Sequence, residues 1–521
     1  MLGYHLVNLA IHLINAMLVY WLFQLIAQTP RLDGSLWHTR RRELALIAAL
    51  IFVAHPVLTQ AVTYIYQRLA SLATLWYLLG MCLYLKGRLN FQRRKDFFAS
   101  AVVIAILGVL TKEIIFTLPL MIVLAELIFF DGADVFKTPR QWFERNRAVC
   151  FLVLGLGIVV LMIPMMYRIG VSDILHRQSA SHSHMDETVK FANYIPTQLR
   201  VLATYLRLLV WPVNLCFDYD FPLSYSFLEP GVLSSLALIV TLLMLAVLIR
   251  RKNPLVTFGI FWFFIAVSVE SLVPIRNVIW EYRTYLPMTG FCFALVGWLA
   301  SVLDRRRLFV VALVLVAVLG ILTVQRNRVY RTGITLWQDA VDKNPQKSRP
   351  YSQLGSSYIN HGQYEKAIAP LKQALALEPG HAMAAYNLSQ VYARFGRYAQ
   401  ALPYALTAYG VEPDLPINTG NVGYLYFAQG DYDNAIQYYQ KTLELDPNPA
   451  ALQVYEEVLL KSYAVHQDPG KAFQDIEFLT HFGIFNRDVE ALREFVTHQE
   501  ELSESPSSSV DASTGNTDDE S

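Results

Sequence analysis

Lys112–Glu113 separates two apolar runs, Arg68 opens a third after Gln67, and Glu281–Tyr282–Arg283–Thr284–Tyr285 leads into a fourth. Ionisable groups at such positions are costly in a membrane and tend to line cavities or pathways. Arginine presents a planar fork of donors suited to phosphate, and lysine a compact positive charge. Lys112, Arg68 and Arg283 are therefore candidates for binding a phosphate. The other reading of Arg68 is a side chain reaching for lipid head groups. Asp218 and Asp220 follow Trp211–Pro212, where a carboxylate could act in catalysis or close a turn. His5, Asn8, His12 and Asn15 recur at a spacing of three or four and form one helical stripe. Such a stripe is either a cavity wall or a set of hydrogen bonds between membrane helices. His55–Pro56 closes a further apolar run.

The elements that must position these residues are membrane helices. The chain has 521 residues, 54% hydrophobic and 16% charged, against about 25% charged in a soluble chain. A span needs about 20 apolar residues. Candidates are 4–27, 43–56, 66–86, 97–112, 114–130, 148–169, 231–250, 255–273, 284–303 and 308–325, with 195–212 as a Leu-rich interfacial segment. Clusters at Arg40–Arg42, Arg93–Lys95, Arg145–Arg147, Arg250–Lys252 and Arg305–Arg307 all fall on one side if the ten spans alternate. Basic loops mark the cytoplasm. Arg68, Lys112, Glu281 and Arg283 then share the outer face and predict a cationic pocket for a lipid phosphate.

A net charge of +1 gives no reason to expect a nucleic-acid partner. Cys82, Cys150, Cys216 and Cys292 show no paired spacing, so no disulfide framework or metal knuckle is assigned. His176, His182 and His184 offer only a weak H-x-H in a loop, and the expectation is no metal site.

The last third repeats. Gly362, Gly396 and Gly430 are evenly spaced, as are Tyr364, Tyr398 and Tyr432, Ala367, Ala401 and Ala435, and Pro379, Pro413 and Pro447. That 34-residue period marks tetratricopeptide repeats, helix pairs that bury their apolar faces only against neighbours. The repeats are expected at 348–381, 382–415 and 416–449, with half or degenerate units at either flank and a protein or peptide ligand on the array. The fold class is all-α: a polytopic membrane bundle over 1–330, an α-solenoid over 331–498 and a disordered acidic, Ser-rich tail over 499–521.

HLVNLAIHLINA (5–16), FVAHPVLTQAVTYIYQR (52–68), LTKE (110–113), LRVLATYLRLLVWPVNLCFDYD (199–220) and EYRTYLP (281–287) resemble the membrane half of the transmembrane and tetratricopeptide-repeat O-mannosyltransferases and their bacterial relatives. The resemblance implies the GT-C glycosyltransferase architecture. It implies a polyprenyl- or dolichyl-phosphate sugar as donor substrate, with no cofactor assigned and any divalent metal unknown. A carboxylate would help deprotonate a Ser or Thr hydroxyl of an exported protein. That hydroxyl would attack the anomeric carbon, and lipid phosphate would leave. Arg68, Lys112 and Arg283 match the cations, with Glu113 and Glu281 to orient them. The residues read by themselves add Asp218 as a further catalytic candidate and His5, Asn8, His12 and His55 as the cavity lining.

The family places its main acidic residue in an outer loop ahead of the helix resembling 4–27, and this sequence begins at that helix. The expectation is a truncated chain, or a short homologue that has lost catalysis. The competing functions are a membrane-anchored repeat scaffold for envelope proteins and a lipid-linked glycan ligase or flippase. The expected location is the bacterial inner membrane with periplasmic repeats, or the endoplasmic reticulum membrane in a eukaryote.

Overall fold

The computed structural model describes residues 2–130, 139–158, 191–272, 277–447 and 449–466, together with single residues beyond these. The described residues are helical throughout and form no strand. His176, His182 and His184, the rest of the 148–169 run, most of 470–497 and the 499–521 tail lie outside them.

The first unit, residues 1–345, is the membrane body. Its helices are α1 (Leu2–Ala27), α2 (Arg41–Ala54), α3 (Arg68–Leu89), α4 (Arg94–Val109) and α5 (Leu118–Phe129). They continue with α6 (Arg147–Ile158), α7 (Phe191–Val210), α8 (Pro230–Ile249), α9 (Pro254–Leu272), α10 (Pro287–Val302), α11 (Arg305–Val329) and α12 (Gly333–Lys343). Proline at the first helical position costs no hydrogen bond, and Pro230, Pro254 and Pro287 start three of these helices. Asp304 caps α11 by accepting from the Arg307 amide at 2.9 Å.

Five described helices are long and apolar enough to cross a bilayer: α1, α3, α8, α9 and α11. A sixth span arises if Arg41–Ala54 and Pro56–Thr63, bent by 52° across His55, count as one. The protein is thus an integral membrane protein. The expected spans at 97–112, 114–130 and 284–303 appear as α4, α5 and α10, of 16, 12 and 16 residues. At about 1.5 Å per residue these fall short of a full crossing.

The helices pack around a core that includes Phe23, Phe52, Tyr77, Tyr84, Phe258, Trp262 and Phe293, all buried. Small residues let membrane helices approach closely. On α9 and α10 this goes to the limit. A Cβ on Gly259 would lie 2.2 Å from the Gly290 carbonyl oxygen, and one on Gly290 2.6 Å from that of Gly259. We expect Gly259→Val to lower stability in detergent by about 3 kcal/mol, as overpacking does. A denaturation midpoint equal to wild type would refute that packing.

The basic end of the bundle is tied by Arg305 to Glu43, by Arg88 Nε to Glu126 at 2.7 Å, and by Asn253 Nδ2 to the Gly297 carbonyl at 3.1 Å. The opposite end carries the chemistry-bearing loops.

The second unit begins at Gln346. The sequence pattern assigns 331–345 to the repeats, but α12 belongs to the first unit. Lys343 Nζ donates to the Leu215 carbonyl at 2.6 Å, and Asn344 Nδ2 to that of Asp218 at 2.9 Å. The repeats are the helix pairs Ser348–Asn360 with Tyr364–Leu377, Ala382–Arg394 with Tyr398–Val411, and Pro416–Ala428 with Tyr432–Leu445, followed by Pro449–His466. Gly362, Gly396 and Gly430 take φ of 71°, 69° and 81° where each pair turns. Glycine adopts that left-handed conformation without a Cβ penalty. The next amide reaches back each time, from Gln363 to Tyr358, Arg397 to Tyr392 and Asp431 to Tyr426, at 2.9–3.0 Å. Ala367, Ala401 and Ala435 are fully buried between the paired helices.

Candidate functional site

Lys112 and Arg283 come together. Both line a cavity of about 10 Å³ with Ala70, Thr74, Glu270, Tyr282 and Tyr285. That is room for about one water. Two short 3-10 turns position them, Glu113–Thr117 and Glu281–Thr284.

Lys112 forms an ion pair with Glu270, and its Nζ stands 4.8 Å from the centre of the Tyr282 ring. Sequence reasoning passed over Glu270. The available signal was a lone carboxylate near the end of the 255–273 apolar run. The adjacent Glu113, expected to orient the cations, is exposed instead. Lys112 is extended (φ −164°, ψ 150°), and successive side chains on extended backbone point opposite ways.

Arg283 is 2% exposed. Its Nη1 donates to the Val278 carbonyl at 3.2 Å, while Nε and Nη2 meet no acceptor at full hydrogen-bond geometry among the described residues, the Tyr194 hydroxyl lying beside the guanidinium. A buried guanidinium with two idle donors is unusual, because burial of polar groups without partners is costly. The surrounding backbone is fixed by Gln198 Nε2 donating to Val278 O at 2.9 Å, the Trp280 amide to Tyr205 Oη at 3.0 Å and the Tyr282 amide to Gln60 Oε1 at 2.9 Å. Tyr194 Oη donates to the Glu270 carbonyl at 3.1 Å.

Glu281 faces away from this cavity. It is fully buried, accepts from Tyr219 Oη at 2.8 Å and pairs with Arg326 Nη2 at 3.5 Å. Arg326 also pairs with Asp339 at 3.0 Å, and Asp339 with Lys343 at 2.6 Å. Glu281 therefore orients Arg326 and α12, where the sequence assigned it to Arg283 and its neighbours. Burial pushes the Glu281 carboxyl above its ordinary range, against the opposing pull of Arg326 and Tyr219.

Arg68 lies off the cavity. Its Nε donates to Asn8 Oδ1 at 2.9 Å, and its guanidinium sits 5.0 Å from the centre of the Tyr4 ring. The polar stripe is taken up between helices. Asn8 Nδ2 donates to Val62 O at 3.0 Å, Asn15 Nδ2 to Ser71 O at 2.9 Å, and His12 Nδ1 pairs with Tyr285 Oη at 2.8 Å. His5 is exposed on α1. His55 joins the 52° bend to α7, its Nε2 lying 3.0 Å from Leu209 O. Asp218 is buried beside Asn344 rather than at the cavity. Arg68, Asn8, His12 and His55 thus serve helix contacts, and Lys112 and Arg283 meet at one crevice with room for about one water. Among the described residues no cluster of His, Cys, Asp or Glu could hold a metal ion.

In the second unit, a groove of about 810 Å³ is lined by Tyr386, Asn387, Gln390, Arg394, Asn421 and Tyr424, among others. Gln390 Nε2 donates to Asn421 Oδ1 at 2.7 Å and Asn387 Nδ2 to Ser356 Oγ at 2.8 Å.

Tetratricopeptide repeat families match residues 352–416 and 420–449. Across the membrane half as well, the chain is similar to Protein O-mannosyl-transferase F38B6.6 of Caenorhabditis elegans, 24% identical over 73% of this chain and 51% of the relative. It is similar to Protein O-mannosyl-transferase Tmtc3 of Drosophila melanogaster, 25% identical over 74% of this chain and 47% of the relative. Protein O-mannosyl-transferase TMTC3 of Mus musculus is 24% identical over 74% and 43%. The chain spans about half the length of these relatives. Among solved structures, MamA from Desulfovibrio magneticus RS-1 is 20% identical over 31% of this chain and 85% of its own, with a TM-score of 0.25.

Proposed function

Because the homologues of this chain are protein O-mannosyl-transferases that carry tetratricopeptide repeats, we propose that it works as a membrane glycosyltransferase. It takes a sugar from a polyprenyl-phosphate donor and passes it to Ser or Thr of exported proteins. The observation that carries the reading is Arg283, buried with two idle donors beside Lys112. A phosphate oxygen would complete the guanidinium and draw Lys112 from Glu270. These cations are fixed before the reaction, so they stabilise the charge that builds on the leaving phosphate.

In the transfer, the acceptor oxygen bonds to the anomeric carbon, and the bond from that carbon to the phosphate oxygen breaks. The hydroxyl proton passes to a carboxylate. Glu270 is the one carboxylate among the residues lining the cavity, and it loses its lysine when the donor binds. The groove of the repeats supports binding of an extended acceptor. Its amide side chains can bond a peptide backbone, and its tyrosines can cover apolar side chains.

Membranes holding the full chain and a labelled polyprenyl-phosphate sugar test the reading. We expect label on an acceptor protein. No label, with a peptide still held by the repeats, would replace the enzyme by the scaffold. As a separate check, Asn421→Ala should weaken that peptide about tenfold without altering donor binding, read by fluorescence anisotropy.

A further inference from the structure

At the basic end, far from the cavity just described, α2 and α11 enclose an apolar groove of about 700 Å³. Leu46, Leu50, Phe309, Val310 and Leu313 form its walls, and all five are exposed, between 43% and 65%. Exposed leucine and phenylalanine on a membrane helix face acyl chains. The groove runs along α2 from Arg40 to Leu50 and along α11 from Arg305 to Val316. Ten or eleven residues at 1.5 Å each give about 15 Å, half of a hydrocarbon core about 30 Å thick. The groove therefore has the depth of one leaflet.

Its mouth is charged. Arg40, Arg305 and Arg306 stand there with one carboxylate, Glu43. Glu43 is shared between Arg40 Nε, at 3.2 Å, and Arg305. Arg306 is exposed and has no ion pair among the described residues. The nearby Arg307 is already matched by Asp304 at 3.2 Å. Three guanidiniums against one carboxylate leave two positive charges at head-group level, above a slot one leaflet deep.

From that juxtaposition we infer that the groove between α2 and α11 is a binding site for one anionic phospholipid of the leaflet at the basic end. The arginines hold its phosphate and the apolar walls hold an acyl chain. A zwitterionic lipid has the same chains, but its cationic head group meets the excess arginine. This site is independent of the proposed transferase cavity.

Full-length protein in nanodiscs of phosphatidylcholine with a small fraction of phosphatidylglycerol provides the test. Lipid retained after release is counted by native mass spectrometry. We expect one phosphatidylglycerol retained in preference to phosphatidylcholine. Each basic residue near a surface contributes about 1 kcal/mol, so Arg305→Gln with Arg306→Gln should lower retention at least tenfold. Both side chains are exposed and the Arg305–Glu43 pair is a surface one, so the thermal midpoint in pure phosphatidylcholine should move little. Val316→Trp, which fills the slot and spares the arginines, should also expel the lipid. Arg250→Gln with Arg251→Gln, another basic pair at this end, should leave retention unchanged. Equal retention of the two lipids, an equal loss in the Arg250–Arg251 control, or displacement by millimolar inorganic phosphate would each overturn the site.

Discussion

Arg283→Ala should lower sugar transfer by about 10²–10³-fold, the effect of removing one preorganised donor from a developing oxyanion. The reasoning rests on which donors are committed. Nη1 already holds the Val278 carbonyl, so Nε and Nη2 are the two left for a ligand. Arg283→Lys should recover little, because an ammonium lacks the fork that serves carbonyl and phosphate together. Lys112→Ala should cost less, about tenfold, since it also releases Glu270 from its ion pair. Donor dissociation constants and single-turnover rates with labelled donor separate binding from transfer. Undiminished transfer by both alanine variants would remove the cavity from the mechanism.

Arg326→Leu should destabilise the membrane body by about 3 kcal/mol at neutral pH. Removing one partner of a buried ion pair strands the other, and here two carboxylates lose the same guanidinium. Asp339 keeps Lys343, but Glu281 keeps only neutral donors, the Tyr219 hydroxyl and the Cys216 backbone, among its hydrogen-bond partners in the described residues. Adding Glu281→Gln should therefore restore much of the loss. The pH dependence follows from the raised Glu281 carboxyl. A folded form that holds its proton more tightly than the unfolded chain is favoured by that group below the ordinary carboxylate range. The contribution fades as pH rises through the elevated value. Glu281→Gln should flatten that slope in denaturation midpoints taken across mildly acidic pH. An unchanged slope, or no rescue in the double variant, would show that the pair carries no such load.

The repeats were legible because their signals are local. A glycine with positive φ, the tyrosine two residues later and the alanine at the helix crossing all fall inside one unit of the period. The apolar runs were legible for the same reason. The pairing of charges was not. Lys112 meets a carboxylate 158 residues away, and Glu281 an arginine 45 residues away, so adjacency in the chain pointed to the wrong partners. Glu113 follows Lys112 directly and still faces elsewhere, because extended backbone separates neighbouring side chains. The histidine and asparagine stripe had two readings on sequence grounds. Only the positions of Val62, Ser71 and Tyr285 distinguish them.

Gly259 and Gly290 lock α9 and α10 with carbonyl oxygens where side chains would otherwise stand. Sliding one rod past the other would drive peptide groups into each other, so the hairpin shifts as a single stave or stays still. Glu270 rides on one arm of that stave, and Arg283 precedes the other. The spacing between the Glu270 arm and the turn that carries Arg283 is thereby set by backbone against backbone, and the proposed cavity has one wall that cannot yield.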